Sequence, residues 1–192
     1  FEVVNNAINL DKFDIQKYPC QTNSELSFLH VGRFTYQKNQ LFLLDVFSKI
    51  LLKYPDSKLK IVGFGPDEEK IRNKVTELNL SLNVEILPHD TDIPKLMSIS
   101  DFLLFPSTYE GLGIVVVESQ AMHLHCFISD AVPEEANLGN CTYISLKNNS
   151  EQWSEIICEY IQNNGAIKKS VDMSSYDIKN VIKKYDEIYI GE

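Results

Sequence analysis

Arginine is nearly missing from this chain. Of its 18 basic residues only Arg33 and Arg72 are arginines, against 27 acidic residues and a net charge of -9. That balance excludes nucleic acid and anionic membrane as general partners, since both call for a basic face. Any phosphate must therefore be met locally, by few candidate side chains. Long apolar runs are also lacking. No stretch approaches the roughly 20 residues of a membrane span, and no basic-then-apolar signal segment opens the chain. Cysteine is sparse: Cys20, Cys126, Cys141 and Cys158 are scattered without metal-ligand spacing. Cys126 and Cys141 sit in apolar runs and read as buried thiols. His123 and His125 form a His-x-His pair, but no third ligand is evident, so no metal is expected. The sequons at Asn140 and Asn148 carry little weight without a secretion signal. A cytoplasmic protein is expected, membrane-peripheral at most. There is no internal repeat, low-complexity tract or linker, so residues 1–192 are read as one domain. The tail 176–192 reads as a closing helix that could pack elsewhere in a longer protein. Phe1 rather than Met in first place makes such a longer parent the expectation.

What remains is an ordinary globular composition, 44% hydrophobic and 23% charged. Short apolar runs alternate with stretches of helical spacing. Strands are expected at Glu2–Asn5, Leu26–Val31, Leu59–Val62, Val84–Leu87, Asp101–Phe105, Phe127–Ser129 and Tyr143–Leu146. Helices are expected over Lys38–Tyr54, Pro66–Leu80, Asp92–Ser98, Ile114–Met122, Asn149–Asn163 and Asp177–Tyr189. The strand runs are apolar throughout rather than alternating, as when both faces of a sheet are covered. The fold class is therefore α/β: a Rossmann-like, doubly wound parallel sheet with helices on both faces.

In such a sheet ligands bind at the carboxyl ends of the strands. Four turns should meet there: Gly32–Lys38, Gly63–Pro66, Pro88–Thr91 and Pro106–Gly113. The first holds Arg33 and Lys38, five positions apart. A guanidinium grips phosphate oxygens in a fork and an ammonium adds a mobile point charge, so the pair could clamp a diphosphate. The last holds Glu110-Gly111-Leu112-Gly113-Ile114, with Glu118 eight positions after Glu110. A strand, a glycine turn and a helix start leave backbone N–H groups free for an anion. Carboxylates cannot bind that anion, but they can accept hydrogen bonds from hydroxyls beside it. An anion flanked by hydroxyls describes a nucleotide sugar. Gly63 and Gly65 make half of a dinucleotide fingerprint. The third glycine is absent and Pro66 follows, which also fits a plain tight turn. His89 is either a surface turn residue or a neighbour of a base or sugar. His30, inside a strand, reads as a satisfied core histidine. His123 and His125 follow the helix that leads away from this end of the sheet.

Read together, the pieces resemble the C-terminal, donor-binding domain of retaining glycosyltransferases of the GT-B fold, family 4. Val3-Val4-Asn5-Asn6-Ala7-Ile8-Asn9 with Phe13 is similar to the family's entry segment, with Ala7 in place of Gly. Val31-Gly32-Arg33 with Lys38-Asn39, Ile61-Val62-Gly63-Phe64-Gly65-Pro66, and Pro106-Ser107 with Glu110-Gly111 through Glu118 match its three other motifs. The resemblance implies that Arg33 and Lys38 bind the donor diphosphate and stabilise the leaving group. It implies that Glu110 holds donor-sugar hydroxyls, that Gly111 to Ile114 offer N–H groups, and that Glu118 holds the ribose. Pro88 to Ile93, including His89, would line the base pocket, and Gly32 and Gly63 would border the site. No cofactor is implied, since protein cations can replace a metal. Bacterial surface-polysaccharide synthesis is the associated role. Two departures stand out: His123 and His125 replace a Gly and a Pro, and Pro88 stands where Gly is common. The acceptor domain of a GT-B enzyme is absent from the chain, so an isolated chain should bind donor and transfer poorly or not at all. Two other readings use the same pocket: a non-catalytic nucleotide-sugar-binding module and a GT-B sugar-nucleotide epimerase. A glycoside hydrolase fits least, because it would need neither Arg33 nor Lys38.

Overall fold

A computed structural model describes residues 6–18 and 25–190. The strand expected at Glu2–Asn5 lies outside the described residues, as does Cys20. The elements run β1 (Ser27–Val31), α1 (Gln40–Lys53), β2 (Lys58–Val62), α2 (Glu68–Glu77), β3 (Val84–Leu87), α3 (Ile93–Ser98), β4 (Phe102–Phe105), α4 (Ile114–Ala121), β5 (His125–Ser129), β6 (Cys141–Ile144), α5 (Ser150–Asn164) and α6 (Ile178–Ile190). All strands pair in parallel in one six-stranded sheet, order β3-β2-β1-β4-β5-β6. This is the Rossmann-like architecture expected. The order reverses between β1 and β4, so the crevice for a ligand opens between those two strands.

Both faces are covered, and the strands show why they lack alternation. Phe28, Ile61, Phe102, Leu104 and Phe127 enter a core with α1 and α5, around Phe47 and Trp153. Their neighbours Leu29, Val62, Leu103, Phe105 and Ile128 enter a second core with Val116, Val117 and Tyr176. Each strand thus buries consecutive residues to opposite sides. The helix ends follow local chemistry. Asn149 caps α5 through a reciprocal box with Gln152, and Asp92 Oδ1 accepts from Lys95 N–H at the start of α3. Glu68 and Glu69 occupy the first turn of α2, where the helix dipole favours them.

Several bounds shift by one to three residues, α2 running Glu68–Glu77 against the expected Pro66–Leu80, and three further differences have a physical reason. The helix expected from Lys38 is split: Tyr36–Lys38 is a 3-10 turn, Asn39 is left-handed at φ 57°, and α1 begins at Gln40. The strand β5 begins at His125, earlier than expected. His125 is buried because Nδ1 and Nε2 meet Asn140 Oδ1 and Thr142 Oγ1, and its ring stacks on Tyr160 at 4.0 Å. The strand β6 ends at Ile144, before Leu146, whose N–H turns to Asp130 Oδ1 instead. Cys126 is buried and Cys141 half-buried, both as free thiols.

His123 has φ 65°, the left-handed turn after α4 that a Gly would fill without strain. Replacing it with glycine should stabilise the chain by about 1 kcal/mol, since a Cβ is disfavoured there. Thermal unfolding of His123→Gly should then show a midpoint raised by about 2–4 °C. A lowered midpoint would mean that the imidazole packing outweighs the strain.

Candidate functional site

The turns after β1 and β4 are tied together across the crevice, one bond after another. The amide of Gln37 donates to Tyr109 O at 3.0 Å, and Gln37 O accepts from Thr108 N–H at 2.8 Å. Lys38 Nζ meets Glu110 Oε1 at 2.5 Å. Asn39 Nδ2 donates to Pro106 O at 3.1 Å. Three consecutive residues of one turn thus hold four of the other. The left-handed bend at Asn39 serves this arrangement: it starts α1 while its amide crosses to Pro106.

The Lys38–Glu110 pair is largely enclosed, with side chains 15% and 7% exposed. The lysine stem runs over Gly32, where a Cβ would sit 3.1 Å from Cγ and Cδ. Its ammonium lies 4.6 Å from the centre of the Phe105 ring, a further attraction for a cation. Glycine at 32 therefore makes room for the lysine. Arg33 is exposed beside this pair and makes no ion pair among the described residues. The other arginine, Arg72, is held by Glu68 on the surface of α2.

The glycine turn after β2 packs backbone to backbone on the first turn. A Cβ at Gly63 would stand 2.0 Å from Gly32 O, and one at Gly65 would stand 2.4 Å from Phe34 O. Phe34 N–H donates to Phe64 O, and Gly32 N–H to Val62 O. Close approach between turns is sufficient reason for both glycines. Phe64 is half exposed and carries His89 against its ring, 4.6 Å between centres. Pro88 and His89 are exposed, and Ile93 opens α3 behind them.

On the other side, Gly111 is exposed, Leu112 half-buried, and Gly113 caps α4 at φ 79°. Among the described residues no side chain caps this helix start, so its first N–H groups, from Ile114 on, have no side-chain partner there. Glu118 stands one turn further along. It is mostly buried, and its carboxylate makes no hydrogen bond or ion pair among the described residues. Burial pushes its carboxyl up to about 7, against the opposing pull of the Lys12 charge. His30 lies beneath the site, fully buried, and desolvation holds it down to about 4. It is the satisfied core histidine expected, with Nδ1 on Leu104 O at 2.9 Å.

The structure therefore brings Gly32, Arg33, Lys38, Gly63 and Glu110 into one cluster, with Pro88 and His89 reached through Phe64. Glu118 lies along the helix from it. His123 and His125 are at the other end of the sheet. Among the described residues no group of three His, Cys, Asp or Glu side chains could hold a metal ion. Sequence reasoning missed Gln37 and Gln40, and it named Asn39 beside Lys38 without giving it a role. The signal for them was an unusual run of amide side chains around Lys38.

A parallel sheet with a cation–carboxylate pair at its reversal point defines a Rossmann-like α/β protein with a charged crevice at the carboxyl ends of its strands. Comparison narrows the class. The chain matches the model for glycosyl transferases group 1 over residues 13–180, and it belongs to that family. EpsF of Bacillus subtilis (strain 168), named as a glycosyltransferase, is 37% identical over 130 residues, covering 67% of this chain and 34% of that one. The capsular polysaccharide biosynthesis glycosyltransferase CapH of Staphylococcus aureus is 29% identical over 176 residues, covering 88% and 48%. The crystal structure of Anabaena Alr3699/HepE in complex with UDP and glucose superposes with a TM-score of 0.81 at 18% identity, covering 100% of this chain and 57% of that one. The fold is that of GT-B glycosyltransferase structures. The chain spans a third to a half of the curated relatives named here. Among the described residues no helix is long and apolar enough to cross a membrane.

Proposed function

We propose that this chain is the donor-binding half of a retaining hexosyltransferase that builds a bacterial surface polysaccharide without a metal. The observation that carries this reading is the enclosed Lys38–Glu110 pair at the sheet reversal, with Arg33 free beside it. Arg33 and Lys38 take the donor diphosphate. Lys38 has three donors, so Glu110 can hold one while phosphate oxygens take the others. As the sugar–phosphate bond breaks, the electron pair leaves with the nucleoside diphosphate. Fixed cations and the N–H groups of Gly111 to Ile114 meet the charge that builds there; one such donor typically contributes ~3 kcal/mol. Glu110 faces the donor sugar, Glu118 the ribose, and the turn Pro88–Ile93 the base, with the Phe64–His89 pair at its edge.

The acceptor would come from a second domain. The exposed apolar side chains of α6, Ile182, Tyr185 and Ile188, fit a helix that docks on such a domain. The whole protein would work in the cytoplasm, at the membrane surface where lipid-linked acceptors lie.

Calorimetric titration with UDP, GDP and ADP tests the reading. One nucleotide should bind, and Arg33→Ala should weaken it by roughly tenfold to a hundredfold, the range of hydrogen bonds to charged groups. The isolated chain should bind that nucleotide yet show no transfer from the matching sugar donor. Binding of none, or equal binding by the variant, would sink the proposal.

A further inference from the structure

Beneath the first turn lies a chain of hydrogen bonds that the site chemistry above does not use. The β1–β4 pairing joins Phe28 and Leu29 to Phe102 and Leu103. Just past it the strands part to form the crevice, and there the side chain of His30 donates from Nδ1 to Leu104 O at 2.9 Å. A carbonyl can only accept, so Nδ1 carries the proton and Nε2 is bare. Nε2 then accepts from Gln40 Nε2 at 3.2 Å. The same amide nitrogen gives its second hydrogen to Arg33 O at 3.0 Å. His30 and Gln40 are both buried, at 0% and 2% exposure.

The chain has one polarity. A flipped Gln40 amide would set its oxygen against two acceptors, His30 Nε2 and Arg33 O. The bare imidazole nitrogen thus dictates the amide, and the amide dictates the Arg33 carbonyl. On the far side of that peptide, Phe34 N–H is held by Phe64 O at 2.8 Å. The Arg33 main chain is fixed on both sides while its guanidinium stays free. The His30 ring also lies 6.0 Å from Phe105, the ring beneath the Lys38 ammonium.

We infer that His30 and Gln40 are positioning residues for the diphosphate, acting through the main chain of Arg33 to aim its guanidinium. The inference rests on the donor-binding reading of Arg33. It predicts a loss confined to the distal phosphate, because base, ribose and the uncapped helix start are untouched. An ångström of misplacement in a binding group can reduce its effect by orders of magnitude.

The test compares UDP with UMP by calorimetry, or GDP with GMP and ADP with AMP if the wild type prefers those bases. Gln40→Met keeps length and removes both donors. It should lower the diphosphate-to-monophosphate affinity ratio by roughly tenfold, the scale of a lost hydrogen bond that serves a charged group. Monophosphate affinity should stay the same. In an Arg33→Ala background the same substitution should have no further effect on the ratio. If Gln40→Met does not fold, Gln40→Glu replaces it. That side chain can still face His30 as an ion pair but cannot donate to Arg33 O, so the ratio should fall equally. A ratio unchanged in a folded variant, or a loss shared by both nucleotides or repeated without Arg33, would overturn the inference and leave the donor-binding reading intact. A wild type that binds no nucleotide would sink both.

Discussion

Lys38→Met should cost the chain part of its stability and nearly all of its diphosphate affinity, by two separable routes. The first is electrostatic. Glu110 is 7% exposed and Lys38 is its ion-pair partner. Removing the cation leaves a buried carboxylate without compensation, a change worth about 3 kcal/mol. The thermal midpoint should fall by about 6–12 °C for a chain of this size. The second route is the ligand. A buried ammonium aimed at phosphate contributes through charge-assisted bonds in a site of low dielectric, so nucleoside diphosphate affinity should drop by about a hundredfold. The double variant Lys38→Met, Glu110→Gln separates the two. It removes the stranded carboxylate, so the midpoint should recover most of its loss, while affinity should stay low. Recovery of affinity together with stability would show that Lys38 serves the fold alone.

The fold was legible because its strands are short, apolar on both faces and punctuated by glycine or proline. Val84–Leu87 is placed to the residue, and the parallel sheet follows from the alternation of strand and helix, whereas the strand order with its reversal between β1 and β4 is set by the packing of the elements. The errors share one cause. His125 sits in a strand because Asn140, Thr142 and Tyr160 satisfy it, and nothing near it in the chain announces those partners. Asn39 breaks the expected helix because Pro106 lies across the crevice. Local patterning cannot show a polar residue whose partner is far along the chain. The same limit governs the site. Arg33 was visible as a rare arginine beside the glycine that ends a strand, and Lys38 and Glu110 as charges in the turns after two strands. Gln37 and Asn39, which tie those ends together, and Gln40, which holds His30 and Arg33 O, look like surface amides until the turns are folded against each other. The replacement of Gly by His at 123 was legible in both senses: the position is left-handed, as a glycine cap requires, and it is far from the site.

Glu118→Gln should stabilise the free chain while weakening nucleotide binding, and both effects should depend on pH. The carboxyl is mostly buried without a partner, and burial raises it from 4.5 to about 7. A group raised on folding binds its proton more tightly in the folded state. Between pH 4.5 and 7 the folded chain therefore carries the extra proton, and stability falls as pH rises through that window. Above pH 7 the ionised carboxylate is a constant burden, on the order of 2 kcal/mol after allowing for its partial exposure. Glutamine keeps the shape and cannot ionise, so at pH 8 its thermal midpoint should exceed that of the wild type by about 4–8 °C. At pH 4 the two should coincide. Binding should run the other way. Ribose hydroxyls donate best to a carboxylate, so the wild type should bind nucleoside diphosphate about tenfold more tightly at pH 8 than at pH 6, following the ionised fraction. The phosphate of the ligand also titrates in this range, and Glu118→Gln supplies the control by keeping only that part of the slope. Equal slopes in both proteins would remove Glu118 from the binding site. A destabilised Glu118→Gln at pH 8 would mean that the carboxylate has a partner in the folded chain. An unpartnered, buried carboxylate that lowers the stability of the empty protein is what a hydroxyl-binding site should contain before its ligand arrives. On the donor-binding reading, the free energy that the empty chain forgoes would return when hydroxyl donors enter, and the ligand would bind more tightly than its contacts alone would give.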